Sequence, residues 1–322
     1  TRPDTPRTMR SMELKYRIGI MPGPWPAGAD GAAFLWKLAD LCESSGIDSL
    51  WLSERLSSPI PVLEPLTTLA AVAARTQRIK FGPSVLVLPF RTPVVVAKEL
   101  ATIDYLSGGR LLPAVGIGVE LPREFEASGV PFKERGRRTD EAIEIIRRLW
   151  LEDQVTFQGE FYRLERVSIL PKPVQTPPPI WIGGKSAAAL RRTGRLGDGW
   201  IPSFAIPKEF ARGVAEVQRY AKEAGREVPI DHFGAVINYA FADSPAAALK
   251  LADPYIPRNR VDETTLAACT AFGPPEVTAR KIEEYVAGGG SKFILRPLCP
   301  PDLMLEQLQR LAEEVIPAFH RW

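Results

Sequence analysis

Short apolar runs alternate with longer amphipathic stretches along most of this chain. Runs at 17–21, 49–53, 79–88 and 111–117 are too short for helices and read as strands. Between them, 34–45 places Phe34, Leu35, Leu38, Leu41 and Cys42 at helical spacing, and 66–75, 94–106 and 135–151 continue the series. Gly108 and Gly109 end the 94–106 helix in the way glycine commonly ends helices.

The alternation breaks once. Residues 154–170 hold two β-rich runs around Gln158 and Gly159, which predicts a hairpin. A proline-rich connector, 171–179, then leads back into the series. Strands are predicted at 180–182, 199–202, 232–241 and 292–295, and helices from 187, over 207–224, 274–287 and 303–319. Only 243–273 reads as irregular. Eight strands, each followed by a helix, require parallel pairing and predict an α/β fold, a (β/α)8 TIM barrel with a β-hairpin inserted between strands four and five. A doubly wound sheet would carry an early G-x-G-x-x-G, which strand one lacks. Residues 1–13 read as a disordered extension ahead of a start near Met12, and 14–322 as a single barrel domain.

Composition narrows the function classes. Of 322 residues, 45% are hydrophobic and 25% charged, as in a soluble globular protein. A net charge of +3 without a basic stripe argues against nucleic acid, and no apolar run approaches the length of a membrane span. Cys42, Cys269 and Cys299 fit neither a disulfide framework nor a metal spacing, so a reducing, cytoplasmic compartment is expected and no metal.

Barrel chemistry sits at the C-terminal ends of the strands, where loops begin at Pro22, Glu54, Pro89, Gly118, Gly183, Ser203, Ala242 and Arg296. Loop five, in IWIGGKSAAALRRTGRLGDGW, is the most informative. Gly184-Lys185-Ser186 looks like the end of a P-loop, but Pro179 occupies the position of that motif's first glycine. What remains is a strand, Gly183 and Gly184, then a polar pair opening a helix. Free amides and the positive end of a helix dipole suit a phosphate there, although an ordinary tight turn has the same sequence.

Four stretches carry a resemblance: SLWLSERLSSP, the run from EPLTTLAAVAARTQ to LSGGRL, EFEASGVPFKERGRRTDEAIEIIRRLW, and IWIGG…GRLGDGW. In that order they resemble the bacterial luciferase-like flavin-dependent family, and within it the branch using the deazaflavin coenzyme F420. The resemblance covers most of 14–203 and, more weakly, the C-terminal third. It implies an oxidoreductase with the flavin ring across the strand ends and its phosphate at Gly183, Gly184, Lys185 and Ser186. It also implies a bulge at Ser84-Val85 backing the ring, often with a non-proline cis peptide. Gly82 and Pro83 alone would equally produce a bulge.

One position departs from the family. Where relatives carry an acid or histidine followed by histidine, this chain has Glu54 and Arg55. Arginine stays charged and cannot replace histidine as a general acid or base. Arg55 would bind an anionic substrate or stabilise charge on a reduced flavin, or it would pair with a nearby carboxylate and hold the loop. Glu54 and Glu120 are the acids nearest the strand ends and the candidate proton donors. Arg296 and Trp25 are candidates for substrate contact, while Trp51, Trp181 and His232 read as structural. The expected activity is F420-dependent hydride transfer to or from a small organic substrate. Alternatives are an FMN-dependent, oxygen-using monooxygenase supplied by a separate reductase, a flavin-binding barrel without turnover, and a phosphosugar enzyme. The resemblance also suggests a homodimer.

Overall fold

A computed structural model describes residues 14–26, 30–119, 121–258 and 261–319. The expected extension at 1–13, Glu120 and His320 lie outside the described residues. The strands are β1 (Arg17–Ile20), β2 (Ser49–Leu52), β3 (Lys80–Pro83), β4 (Leu86–Val87), β5 (Ala114–Gly116), β6 (Val155–Gln158), β7 (Arg163–Val167), β8 (Trp181–Ile182), β9 (Gly199–Trp200), β10 (Gly234–Phe241), β11 (Thr270–Gly273) and β12 (Lys292–Pro297). The helices are α1 (Asp30–Ser44), α2 (Pro65–Arg75), α3 (Pro93–Ser107), α4 (Pro122–Ser128), α5 (Arg135–Leu151), α6 (Ala187–Leu196), α7 (Pro207–Glu223), α8 (Pro245–Ala252), α9 (Glu263–Cys269), α10 (Pro275–Ala287) and α11 (Met304–Arg310).

Two parallel sheets, ordered β11-β10-β12-β1-β2-β3 and β4-β5-β8-β9, are joined by bridges at Phe81–Leu111, Trp200–Phe233 and Ser203–Val236. Following the pairs from β1 through β3 and β4, β5, β8, β9, β10 and β12 returns to β1. These eight positions are those of a TIM barrel. The inserted hairpin is β6–β7, antiparallel, between the fourth and fifth barrel strands. Its turn spans 159–162, where Glu141 on α5 accepts from the amides of Glu160, Phe161 and Tyr162.

The stretch 243–273 is more ordered than its sequence suggests. It forms α8 and α9, and β11 pairs parallel with Asn238–Phe241 of β10. One edge of β10 therefore meets the β9 side at Phe233 and Val236, and β11 farther on. The third barrel strand is likewise split, because the chain leaves the ladder between Pro83 and Leu86.

Inward-facing side chains form a small core of Met21, Trp51, Leu112, Ala114, Trp181, Ile201, Val236 and Ile294, with Val85 packed on it. Glycines make room for the two indoles. A Cβ at Gly199 would lie 2.6 Å from the Trp181 ring, and one at Gly19 would strike Ser49 and Trp51. At the N-terminal end of the strands Lys292 is buried, its Nζ 2.5 Å from Asp48 Oδ2 and 5.5 Å from the Trp51 ring centroid. His232, at the same end, has its ring 5.1 Å from that of Trp181 and its Nδ1 2.7 Å from the Asp198 carbonyl oxygen.

Candidate active site at the strand ends

The turn after β8 is built by local geometry. Gly184 has φ +96°, a left-handed conformation natural to glycine. Trp200 Nε1 donates to the Gly184 carbonyl at 2.8 Å. The trans peptide then directs the Lys185 amide to the opposite side. Ser186 is the N-cap of α6, its Oγ accepting the Ala189 amide at 3.2 Å. The remaining first-turn amides, Ala187 and Ala188, have no intrahelical acceptor. Lys185 is braced rather than extended: its Nζ donates to Phe204 O at 2.8 Å and pairs with Glu209 at 3.0 Å. It thereby meets the charge of the Glu209 carboxylate. We expect Ser186→Ala to lower stability by about 1 kcal/mol through loss of the cap. Calorimetry reads this as a lowered unfolding midpoint.

Val85 joins this turn to the third strand. The Ser84–Val85 peptide bond is cis. A Cβ placed at Gly183 would lie 2.6 Å from Val85 Cγ1, and one at Gly116 2.7 Å from Val85 Cγ2. The isopropyl group thus occupies space that two glycines leave at the ends of β5 and β8. Ser84 donates its amide to Leu52 O at 2.7 Å.

Glu54 and Arg55 follow β2 but go different ways. The Glu54 carboxylate is buried, accepting the Val87 amide at 2.5 Å and Arg91 Nη2 at 2.5 Å. Burial raises its pKa, against the opposing pull of Arg91 and the Val87 N–H. Arg55 donates Nε to Glu124 Oε1 at 3.1 Å and Nη2 to Ser57 O at 3.3 Å. Glu124 also accepts the Ser57 amide at 2.9 Å. Arg55 therefore has a carboxylate partner that holds the loop, and the partner is Glu124 on α4 rather than Glu54 or Glu64. The next residue, Phe125, packs at 4.8 Å from Phe90 and 5.1 Å from Phe132 between ring centroids. Gly118, with φ +79°, lets the chain pass close to Val87 and Phe125.

The remaining candidates are spread out. Arg296 lies two residues beyond Ile294 on β12, on the same face, in register with the buried Asn238 of β10. Trp25 is 7% exposed and meets Phe34 edge-on at 5.3 Å, so it is packed into the core and offers a ligand little surface. The structure thus brings together Ser84, Val85 and the 183–186 turn, with Glu54 holding the same segment from behind. It adds Arg91, Glu124 and Asn238, which sequence reasoning did not single out. The acidic stretch EFE after Pro122 was the only available sign of Glu124.

A glycine turn opening a helix, beside an interrupted third strand, sits at the strand ends of a (β/α)8 barrel, where barrel chemistry is built. Residues 12–292 match the luciferase-like monooxygenase family, and the chain belongs to that family. It is 34% identical over 234 residues to the F420-dependent glucose-6-phosphate dehydrogenase of Nocardia farcinica, covering 68% of each chain. An uncharacterized protein of Mycobacterium tuberculosis is 36% identical over 221 residues, covering 62% of this chain and 75% of that one. The crystal structure of monooxygenase RslO1 from Streptomyces bottropensis superposes with a TM-score of 0.80 at 24% identity, covering 94% of this chain and 99% of the other.

Proposed function

We propose that this protein is a cytoplasmic oxidoreductase that uses the deazaflavin F420 to transfer hydride to or from a small organic substrate. The observation that carries this reading is the coupling of the 183–188 turn to the 84–87 segment through Val85. An anion at the turn and a planar ring against the strand segment are the two needs of a phosphorylated flavin. The kinship with an F420-dependent dehydrogenase supports the choice of deazaflavin. No helix among the described residues is long and apolar enough to cross a membrane.

The residues present fit the cofactor. The Ala187 and Ala188 amides with Ser186 would hold its phosphate, Gly183 and Gly184 would let the backbone approach, and Ser84 and Val85 would lie against its ring. When bound, the cofactor supplies the carbon that gives or accepts hydride; the protein supplies orientation and electrostatics. Arg55, its charge met by Glu124, would offer its remaining N–H donors to an oxygen of the substrate. It cannot move a proton as histidine would. Glu120, the other acid the sequence singles out for that task, lies outside the described residues. Arg296 and its register partner Asn238, at the ends of β12 and β10, are the polar side chains proposed to meet substrate.

FMN is the alternative cofactor, because a phosphate turn serves either, and with it would come an oxygen-using monooxygenase fed by a separate reductase. Titration of cofactor-free protein with F420 and with FMN, followed by cofactor fluorescence, tests the reading. Micromolar or tighter binding of F420 in preference to FMN is the expected result. Preference for FMN transfers the assignment to the monooxygenase, and binding of neither overturns the flavin site.

A further inference from the structure

The 84–87 segment is gripped from a second direction, by the acid that follows β2. Strand β4 is only two residues long and pairs with β5 on one side. On its other side the buried Val87 N–H needs an acceptor. The Glu54 side chain supplies it at 2.5 Å, doing what a neighbouring strand's carbonyl would do. A chain of charges continues outward. Arg91 Nη2 donates to Glu54 Oε1 at 2.5 Å and to Glu64 Oε1 at 2.7 Å. Glu64 in turn caps α2 by accepting the amides of Leu66 at 3.1 Å and Thr67 at 2.7 Å. The first turn of α2 is thus tied through three side chains to the segment that backs the ring.

We propose that Glu54 is a positioning residue whose carboxylate, paired with Arg91, fixes residues 84–87 in the conformation that binds the deazaflavin, and that it exchanges no proton with substrate. The proposal rests on the function proposed above. It reassigns the acid that follows β2 from proton transfer to shaping the floor of the cofactor site. Both oxygens of Glu54 are already engaged, and the side chain is only 7% exposed.

The charged groups around Glu54 set its pH behaviour. Arg91 faces it from the turn after β4, Glu64 from the cap of α2, and Glu99 from α3. Burial raises the pKa of Glu54 and of Glu99, while for Glu64 the Thr67 and Leu66 amides and Arg91 outweigh burial and lower it. One arginine serves three carboxylates, so Glu54 and Glu99 take up protons before Glu64 as pH falls. Protonation of Glu54 weakens its hold on Arg91 and on Val87 N–H, so F420 affinity falls as the pH drops through the raised Glu54 range.

The test compares the wild-type chain with Glu54→Gln, Glu54→Asp and Glu99→Gln. F420 Kd is measured from pH 5 to 8, with amide protection in 84–91 by hydrogen exchange. Expected for Glu54→Gln is Kd weaker by about tenfold, with pH dependence abolished and protection of 84–87 reduced. Glu54→Asp recovers part of the affinity and its pH dependence, and Glu99→Gln retains both. If Glu54→Gln does not fold, the wild type decides: protection at 84–87 must fall with pH relative to that of β1, and equal protection overturns the proposal. Wild-type binding with an indifferent Glu54→Gln overturns this role alone. Failure of the wild type to bind F420 removes this role and the proposed function together.

Discussion

Gly183→Ala is expected to weaken F420 binding by roughly ten- to hundredfold while the barrel stays folded. The added methyl would lie 2.6 Å from Val85 Cγ1, well inside van der Waals contact. Val85 cannot retreat toward β5, because Gly116 already marks a close approach there, 2.7 Å for a Cβ. The strain must therefore move either the 84–87 segment or the turn leading to Ser186. Overpacking of this kind costs about 1–3 kcal/mol, and each 1.4 kcal/mol is tenfold in affinity. Both anchors of the cofactor shift together, so the loss in binding exceeds the loss in stability. Val85→Ala in the same background creates the room and should restore most of the affinity. A double variant as weak as Gly183→Ala alone would show that Val85 is not the link.

The largest effect on stability is expected at the opposite end of the barrel. Lys292 is 1% exposed, and its ammonium pairs with Asp48 across 2.5 Å. Lys292→Ala removes the buried partner of a half-buried aspartate and leaves the Asp48 charge to Ser49 and the more distant Lys80, a change that costs about 3 kcal/mol, the low end for a broken buried pair. Chemical denaturation at pH 7 reads this directly. Replacing both partners, with Lys292→Met and Asp48→Leu, should recover most of the loss, since burying an ion pair gains little over apolar packing. The pair also leaves a signature in acid. Burial would push the Asp48 carboxyl up, but the charge and hydrogen bond of Lys292 prevail and hold its pKa at about 2. A carboxylate depressed from an unfolded value of about 3.9 contributes stability above that value and loses it as pH falls toward 2. Wild type should therefore lose stability across that window, and the Lys292→Ala variant should lack this part of the acid limb.

The barrel was legible because its signal is local and repeated. The α5 helix, Arg135–Leu151, falls on the predicted bounds, with Ile143, Ile146, Leu149 and Trp150 on its buried face. The turn at Gly183 to Ser186 was legible for the same reason: its chemistry is written in consecutive residues. Strand β11 was not, since four residues, TAFG, running straight on from the apolar LAAC carry no alternation. Its existence depends on the free edge of β10, which only the folded chain presents. The partners of Glu54 and Arg55 were equally hidden. Arg91 and Glu124 lie 37 and 69 residues away, and nothing in a lone acid or arginine says which distant charge it will meet. Trp25 shows the converse failure, an aromatic in a loop that looks available and is folded onto Phe34 instead.

The two indoles that fill the barrel interior give the protein an optical reporter of its own. Trp51 donates its N–H to Ser49 Oγ at 2.8 Å, whereas the buried Trp181 N–H has no acceptor among the described residues. Both are shut away from water, so their emission lies to the blue of that from an exposed tryptophan such as Trp36. A flavin or deazaflavin seated on the strand ends directly above them would absorb that blue-shifted light. Occupancy of the site can then be followed by the dimming of the protein's own fluorescence, without a label and without knowing the substrate.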